Sequence, residues 1–168
     1  MRISRIAVVA AAATIMIGSG AGLALASAGT AQRPAASGTE HFNLSTTQPS
    51  ASKYVIIASG VFTAGGTDTS GQNVDTVKLT GGGFKINHNF PFHILKEQLN
   101  PTTCLMQFAG TTKFTIEDGT GAYKKLTGSG NALISGLGIA ARTHGTCNPN
   151  VNPLFLEQTI SASAKVSL

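Results

Sequence analysis

The chain has 168 residues, with 12 Lys and Arg against seven Asp and Glu, two cysteines and no tryptophan. Its basic residues stand singly apart from Lys124-Lys125. That excludes the basic stripe that neutralises successive phosphates, so no nucleic-acid partner is expected.

Arg2 and Arg5 lead into an apolar run over residues 6–17, followed by small residues through Ala26-Ser27-Ala28. This is the layout of a secretory signal peptide, cleaved after Ala26 or, as preferred here, after Ala28. The run is 12 residues long, short of the roughly 20 that span a bilayer, so no stable membrane insertion is expected once the signal is removed. No cysteine follows the run to carry a lipid anchor. The organisation expected is a signal peptide over 1–28, a flexible leader over 29–39 and a single domain over 40–168, with a secreted, extracellular product. Loss of Arg2 and Arg5 leaves ten basic and seven acidic residues, a mature charge of +3. The remaining residues suit one domain with a real core.

From 40 onward no window carries a helical apolar stripe, while several alternate with period two. In "EHFNLSTT" Phe42, Leu44 and Thr46 share one side and His41, Asn43 and Ser45 the other. The stretch 53–63, "KYVIIASGVFT", is expected to be one strand, with Gly60 marking a bulge or bend. "TAGGTDTSGQN" reads as a long polar turn, and the next strand begins at Val74. In "GFKINHNF" Phe84, Ile86, His88 and Phe90 fall on one side, which sets a titratable ring among apolar neighbours. Residues 91–101 fit either a strand or a single helical turn.

"CLMQFA" and "TKFTIE" read as two short strands around Gly110, with a turn at 118–121. Glycines 128 and 130 suggest a kink before the Gly-interrupted apolar strand "NALISGLGIAAR". The last stretch alternates to the end, with Ile160, Ala162, Ala164, Val166 and Leu168 on one side. About eight strands at this spacing predict an all-β fold, an antiparallel eight-stranded barrel or, alternatively, a sandwich. In an exported chain the two cysteines, Cys104 and Cys147, are expected to form a disulfide.

The segment "NPTTCLMQFAGTTKFTIEDGTGAYKKLTGSGNA", residues 100–132, resembles a group of secreted bacterial proteins whose Asn-Pro-x-Thr-Cys segment precedes a "GTGxYxxxTGSG" stretch. That stretch is similar to the "GGTGxF" strand-turn of plant dirigent proteins and the related allene oxide cyclase barrels. The resemblance implies an eight-stranded antiparallel barrel with a central cavity, in a family where some members steer the coupling or cyclisation of small molecules. The acidic and asparagine cavity residues of those families match none of Asp68, Asp75, Glu97 or Asn87 by motif, so no catalytic residue carries over.

Among candidate chemical groups, His88 with Phe84, Ile86 and Phe90 forms the expected ligand-binding face, and a small apolar molecule is the expected partner. Such a site predicts a cavity of a few hundred cubic ångström. A catalytic role would need at least two ionisable side chains converging there. His88 and His93 fall on opposite faces of a strand and lack further ligands at fixed spacing, so no metal is expected, nor any other cofactor. The glycine-rich "EDGTGAYKKLTGSGNA" lacks the following helix that a phosphate cradle requires.

Overall fold

The computed structural model describes residues 36–168. The signal peptide expected over 1–28 and most of the leader lie outside these residues. Every regular element among the described residues is a strand, as expected where side chains alternate between core and water.

The first strand, β1 (Ser37–Thr46), starts three residues before position 40 and buries Glu40, Phe42, Leu44 and Thr46. After it come β2 (Lys53–Ser59), β3 (Thr63–Thr69), β4 (Val74–Leu79) and β5 (Gly82–Asn87), each antiparallel to its predecessor. Next are β6 (His93–Leu99), β7 (Leu105–Gly121) and β8 (Thr127–Ile139), the short hairpin of β9 (Ala141–Thr143) and β10 (Thr146–Asn148), and β11 (Phe155–Ser167). The last strand returns to pair with both β1 and β8. Closure comes from β5, which pairs with the C-terminal half of β7 from Gly82↔Gly121 to Asn87↔Thr115. Eight strands, β1 to β5 with β7, β8 and β11, thus make a closed antiparallel barrel. Closure removes the free edges that an open sheet of this size would expose.

Several local expectations are corrected. Residues 63–69 form β3 rather than a polar turn, because β2 pairs with one edge of the segment and β4 with the other. Two ladders hold a sequence that has little strand propensity of its own. The chain reverses instead at residues 60–62, where Gly60 has φ 142° and a Cβ would come within 2.3 Å of the Thr39 carbonyl oxygen.

The two short strands expected around Gly110 are one 17-residue strand. It pairs with β8 from Leu105↔Ile139 to Ile116↔Gly128, while β6 and β5 share its other edge. The turn expected at 118–121 lies at 122–126, closed by Leu126 N–H donating to the Tyr123 carbonyl at 2.8 Å. Asp118 and Gly121, with φ 52° and 59°, bend the strand end that leads into it. Gly128 and Gly130 lie within β8 and make no kink.

β6 resolves residues 91–101 as an edge strand that pairs only with β7 and is exposed along its whole length. A bulge between Ile94 and Lys96 interrupts its ladder, and both the bulge and the lysine blunt a free edge. The Cys104–Cys147 disulfide, with Cα atoms 5.3 Å apart, ties the start of β7 to β10.

The core fills the barrel interior. Phe42 sits at its centre, with its ring centroid 5.9 Å from Phe84 and 6.4 Å from both Phe62 and Phe114. Tyr123 adds a ring 5.0 Å from Phe62 and closes the end of the barrel at the β7–β8 turn. At that end Glu40 is fully buried, and its Oε2 accepts the Phe62 N–H at 3.1 Å. Its carboxyl is held above the usual range by burial.

Candidate functional site: a polar-rimmed cavity at one end of the barrel

The opposite end of the barrel is not filled. A cavity of about 140 Å³ lies there. Phe42, Phe114 and Ile86 line it with Leu44 of β1, and small or branched residues of β8 and β11, including Ala132, Ile134, Ile160 and Ala162, form the far wall. The cavity exists because β8 and β11 turn alanines and glycines inward opposite one another, as in Ala162↔Ala132 and Ala164↔Gly130. Bulky residues face them only from the other half of the wall.

The rim is polar, and β2, β4 and β5 supply most of it. Tyr54, Asp75 and His88 line the cavity together with Ser70, Thr112 and Gln158. Asp75 enters because it shares an inward side with Val77 and Leu79 at period two, while the Asp75↔Ile86 pairing sets it beside β5. His88 follows β5 by one residue, and its N–H bonds to the Asn73 carbonyl at 2.9 Å. That bond holds the imidazole over the rim, where Nε2 lies 3.0 Å from Asp75 Oδ1. The Gly71 N–H also donates to Oδ1, at 2.9 Å. Both bonds fall on one oxygen, so Oδ2 is the atom left for a guest.

Asp68 stands one inward position below Ser70 on β3, directly across the ladder from Tyr54 and beside Val77. It is 1% exposed, and neither carboxyl oxygen has a hydrogen-bond partner. Burial, reinforced by the charge of Asp75, pushes its pKa up to about 7. The Tyr54 hydroxyl is pushed up to about 12 by burial and then by the charges of Asp68 and Asp75. A buried carboxyl without partners costs several kcal/mol when ionised, which is why it holds its proton so far above the normal range.

The residues expected from sequence separate. Ile86 and His88 line the cavity. Phe84 is buried at 2% exposure and packs against Phe42 and Tyr123 in the filled part of the barrel. Phe90 lies beyond the end of β5, is 39% exposed and borders a separate surface groove with Pro91 and His93. The alternation that groups these four stops where the strand stops, at Asn87.

Tyr54 and Asp75 on the rim, and Asp68 buried beside them, are residues that pattern reading did not assemble. Asp75 had a signal in the alternation of "VDTVKL". Asp68 had none, because its segment reads as a turn. Among the described residues no three His, Cys, Asp or Glu side chains gather closely enough to hold a metal ion. Comparison with protein-family models, curated proteins and solved structures finds no match to this chain.

Proposed function

We propose that this protein is an exported β-barrel that binds one small, largely apolar molecule in the open end of its barrel. The observation that carries the reading is the cavity itself: apolar on its floor and far wall, polar at its rim, and closed below by Phe42 and Phe114. This is the arrangement of small-molecule sites, in which apolar surface supplies affinity and a few polar groups fix orientation. The volume is below the few hundred cubic ångström expected of such a site, because the aromatic rings around Phe42 occupy the rest of the interior. An apolar protein cavity of about 150 Å³ accepts benzene, so the guest here is a molecule, or the end of a molecule, about one ring in size.

Export is supported by the N-terminal pattern of Arg2, Arg5 and the apolar run, and a disulfide suits an oxidising compartment. The closed eight-stranded barrel is compatible with the dirigent and allene oxide cyclase resemblance.

Titrating isotope-labelled protein with toluene or benzyl alcohol tests the reading. Amide shifts should centre on Ala132, Ile134, Ile160 and Ala162, and Ala162→Leu should abolish them by filling the cavity. Absence of shifts, or shifts indifferent to Ala162→Leu, would remove the proposal and favour an exported protein that works through its outer surface.

A second reading is favoured by the Asp75–His88 hydrogen bond. It aligns a carboxylate with an imidazole at the edge of a bound guest, which is the arrangement of an oriented general base. On that reading the barrel is an isomerase or cyclase, and Asp75→Asn would lower kcat by far more than it weakens binding of the guest.

A further inference from the structure

We infer that the guest carries a positive charge: the cavity is a site for a small organic ammonium, with the apolar body against the aromatic floor and the charged head at Asp75 on the rim. The inference rests on the binding reading above and names the class of molecule bound.

Four observations converge on this chemistry. First, the rim holds Asp75, and Asp68 lies directly behind Tyr54, yet no Lys or Arg side chain lines the cavity. The ionisable groups at this end are Tyr54 from β2, Asp68 from β3, Asp75 from β4 and His88 just after β5. The wall made by β7, β8 and β11 adds Thr112, Phe114, Gln158 and aliphatic side chains, with no titratable group. His88 spends its Nε2 on Asp75 and so offers little to an anion.

Second, Asp68 is fully buried on the inward side of β3, one position below the cavity-lining Ser70, with both oxygens unpartnered. A buried carboxyl is retained at such a cost where something else completes it, and a cation at the rim does so through a short range of low dielectric. Third, Asp75 presents Oδ2 after both of its protein bonds have fallen on Oδ1. An ammonium N–H donates to that oxygen, whereas a carboxylate or phosphate guest is repelled by it. Fourth, Tyr54 lines the rim end of the same space, and an aromatic ring beside the charged head attracts an ammonium group, most strongly where water is excluded.

The protein as a whole is mildly basic outside the expected signal peptide. Selection for a cation is therefore a property of this one end, set by which side chains the strand register turns inward.

The test is a matched series of single-ring probes: benzylammonium, benzyl alcohol and benzoate, with toluene as the uncharged reference, titrated calorimetrically into the folded protein at pH 7.5 and low salt. Benzylammonium should bind at least about tenfold more tightly than benzyl alcohol, and benzoate should bind more weakly than either. Benzoate binding as well as benzylammonium, or benzyl alcohol matching it, overturns the assignment of charge while leaving the apolar-guest reading intact. Failure of all four probes overturns both.

Asp75→Asn provides the independent arm. It should lower benzylammonium affinity roughly tenfold relative to toluene, and a cooperative urea transition reports that the barrel has folded. If the preference for the cation survives in this variant, the inference fails. Should Asp75→Asn not fold, Asp68→Asn, isosteric and buried without partners, carries the same expectation.

Discussion

Asp68 is buried where its carboxyl gains little hydrogen bonding, and this has a measurable consequence for stability. Its folded pKa is about 7 against an ordinary 3.8, raised first by burial and then by Asp75. Below pH 4 both the folded and unfolded chains carry the proton, and the contribution is fully present. Between pH 4 and 7 the unfolded chain releases its proton while the folded chain keeps it, so stability falls as pH rises through this window and then levels off. The loss is of the order of 4 kcal/mol if the shift is realised in full. Asp68→Asn cannot ionise, so its urea midpoint should fall less than that of the wild type from pH 4 to 8, the remainder coming from the buried Glu40 carboxyl, and should exceed that of the wild type at pH 8. A wild-type profile that rises over the same window would show that Asp68 is ionised in the folded protein. The cavity residues differ in legibility for a related reason. Ile86 and Asp75 sit in strands whose alternation is plain, whereas Asp68 follows Gly65, Gly66 and Thr67, where no apolar side chains mark the inward side. Phe90 shows the opposite failure, since alternation runs on in the letters after the hydrogen bonding has ended.

The strands divide into those that the chain specifies locally and those that their neighbours impose. β1, β4 and β11 carry clear alternation and form where expected. β3 is a strand because β2 and β4 bracket it, and β7 runs unbroken past Gly110 because β8 pairs along twelve of its positions. Ladder pairing is non-local, so neither outcome leaves a mark in the segment itself. The same difference governs how firmly each element is held. β6 is exposed on both faces and has one neighbour, and β9 and β10 pair only with each other. The disulfide anchors this region by closing a separation of 43 residues, worth about 4 kcal/mol in the chain-entropy account. Replacing both cysteines by alanine should lower unfolding free energy by about 2–5 kcal/mol in urea titrations. Hydrogen exchange should accelerate most in β6, β9 and β10 and least in β1, β8 and β11, which each have two strand partners. Uniform acceleration across all strands would mean that the bridge supports the barrel as a whole.

The barrel as a unit is solid at one end and open at the other, and Phe42 is the hinge of that asymmetry. It touches three other rings, is 1% exposed and also forms part of the cavity floor. Phe42→Ala should cost about 3–5 kcal/mol in chemical denaturation. It should also enlarge the cavity, so that two-ring probes excluded from the wild type gain entry. A destabilised variant that still rejects them would show that the surrounding rings collapse into the gap. The all-β class and the pairing of the two cysteines follow from the letters of this chain, because period-two alternation, turn residues and a count of two cysteines are local or combinatorial facts. Closure by β5 against β7, the small cavity and the meeting of Tyr54, Asp68, Asp75 and His88 do not. They depend on register between segments far apart in sequence, where a shift of one residue would send every one of these side chains to the outer surface.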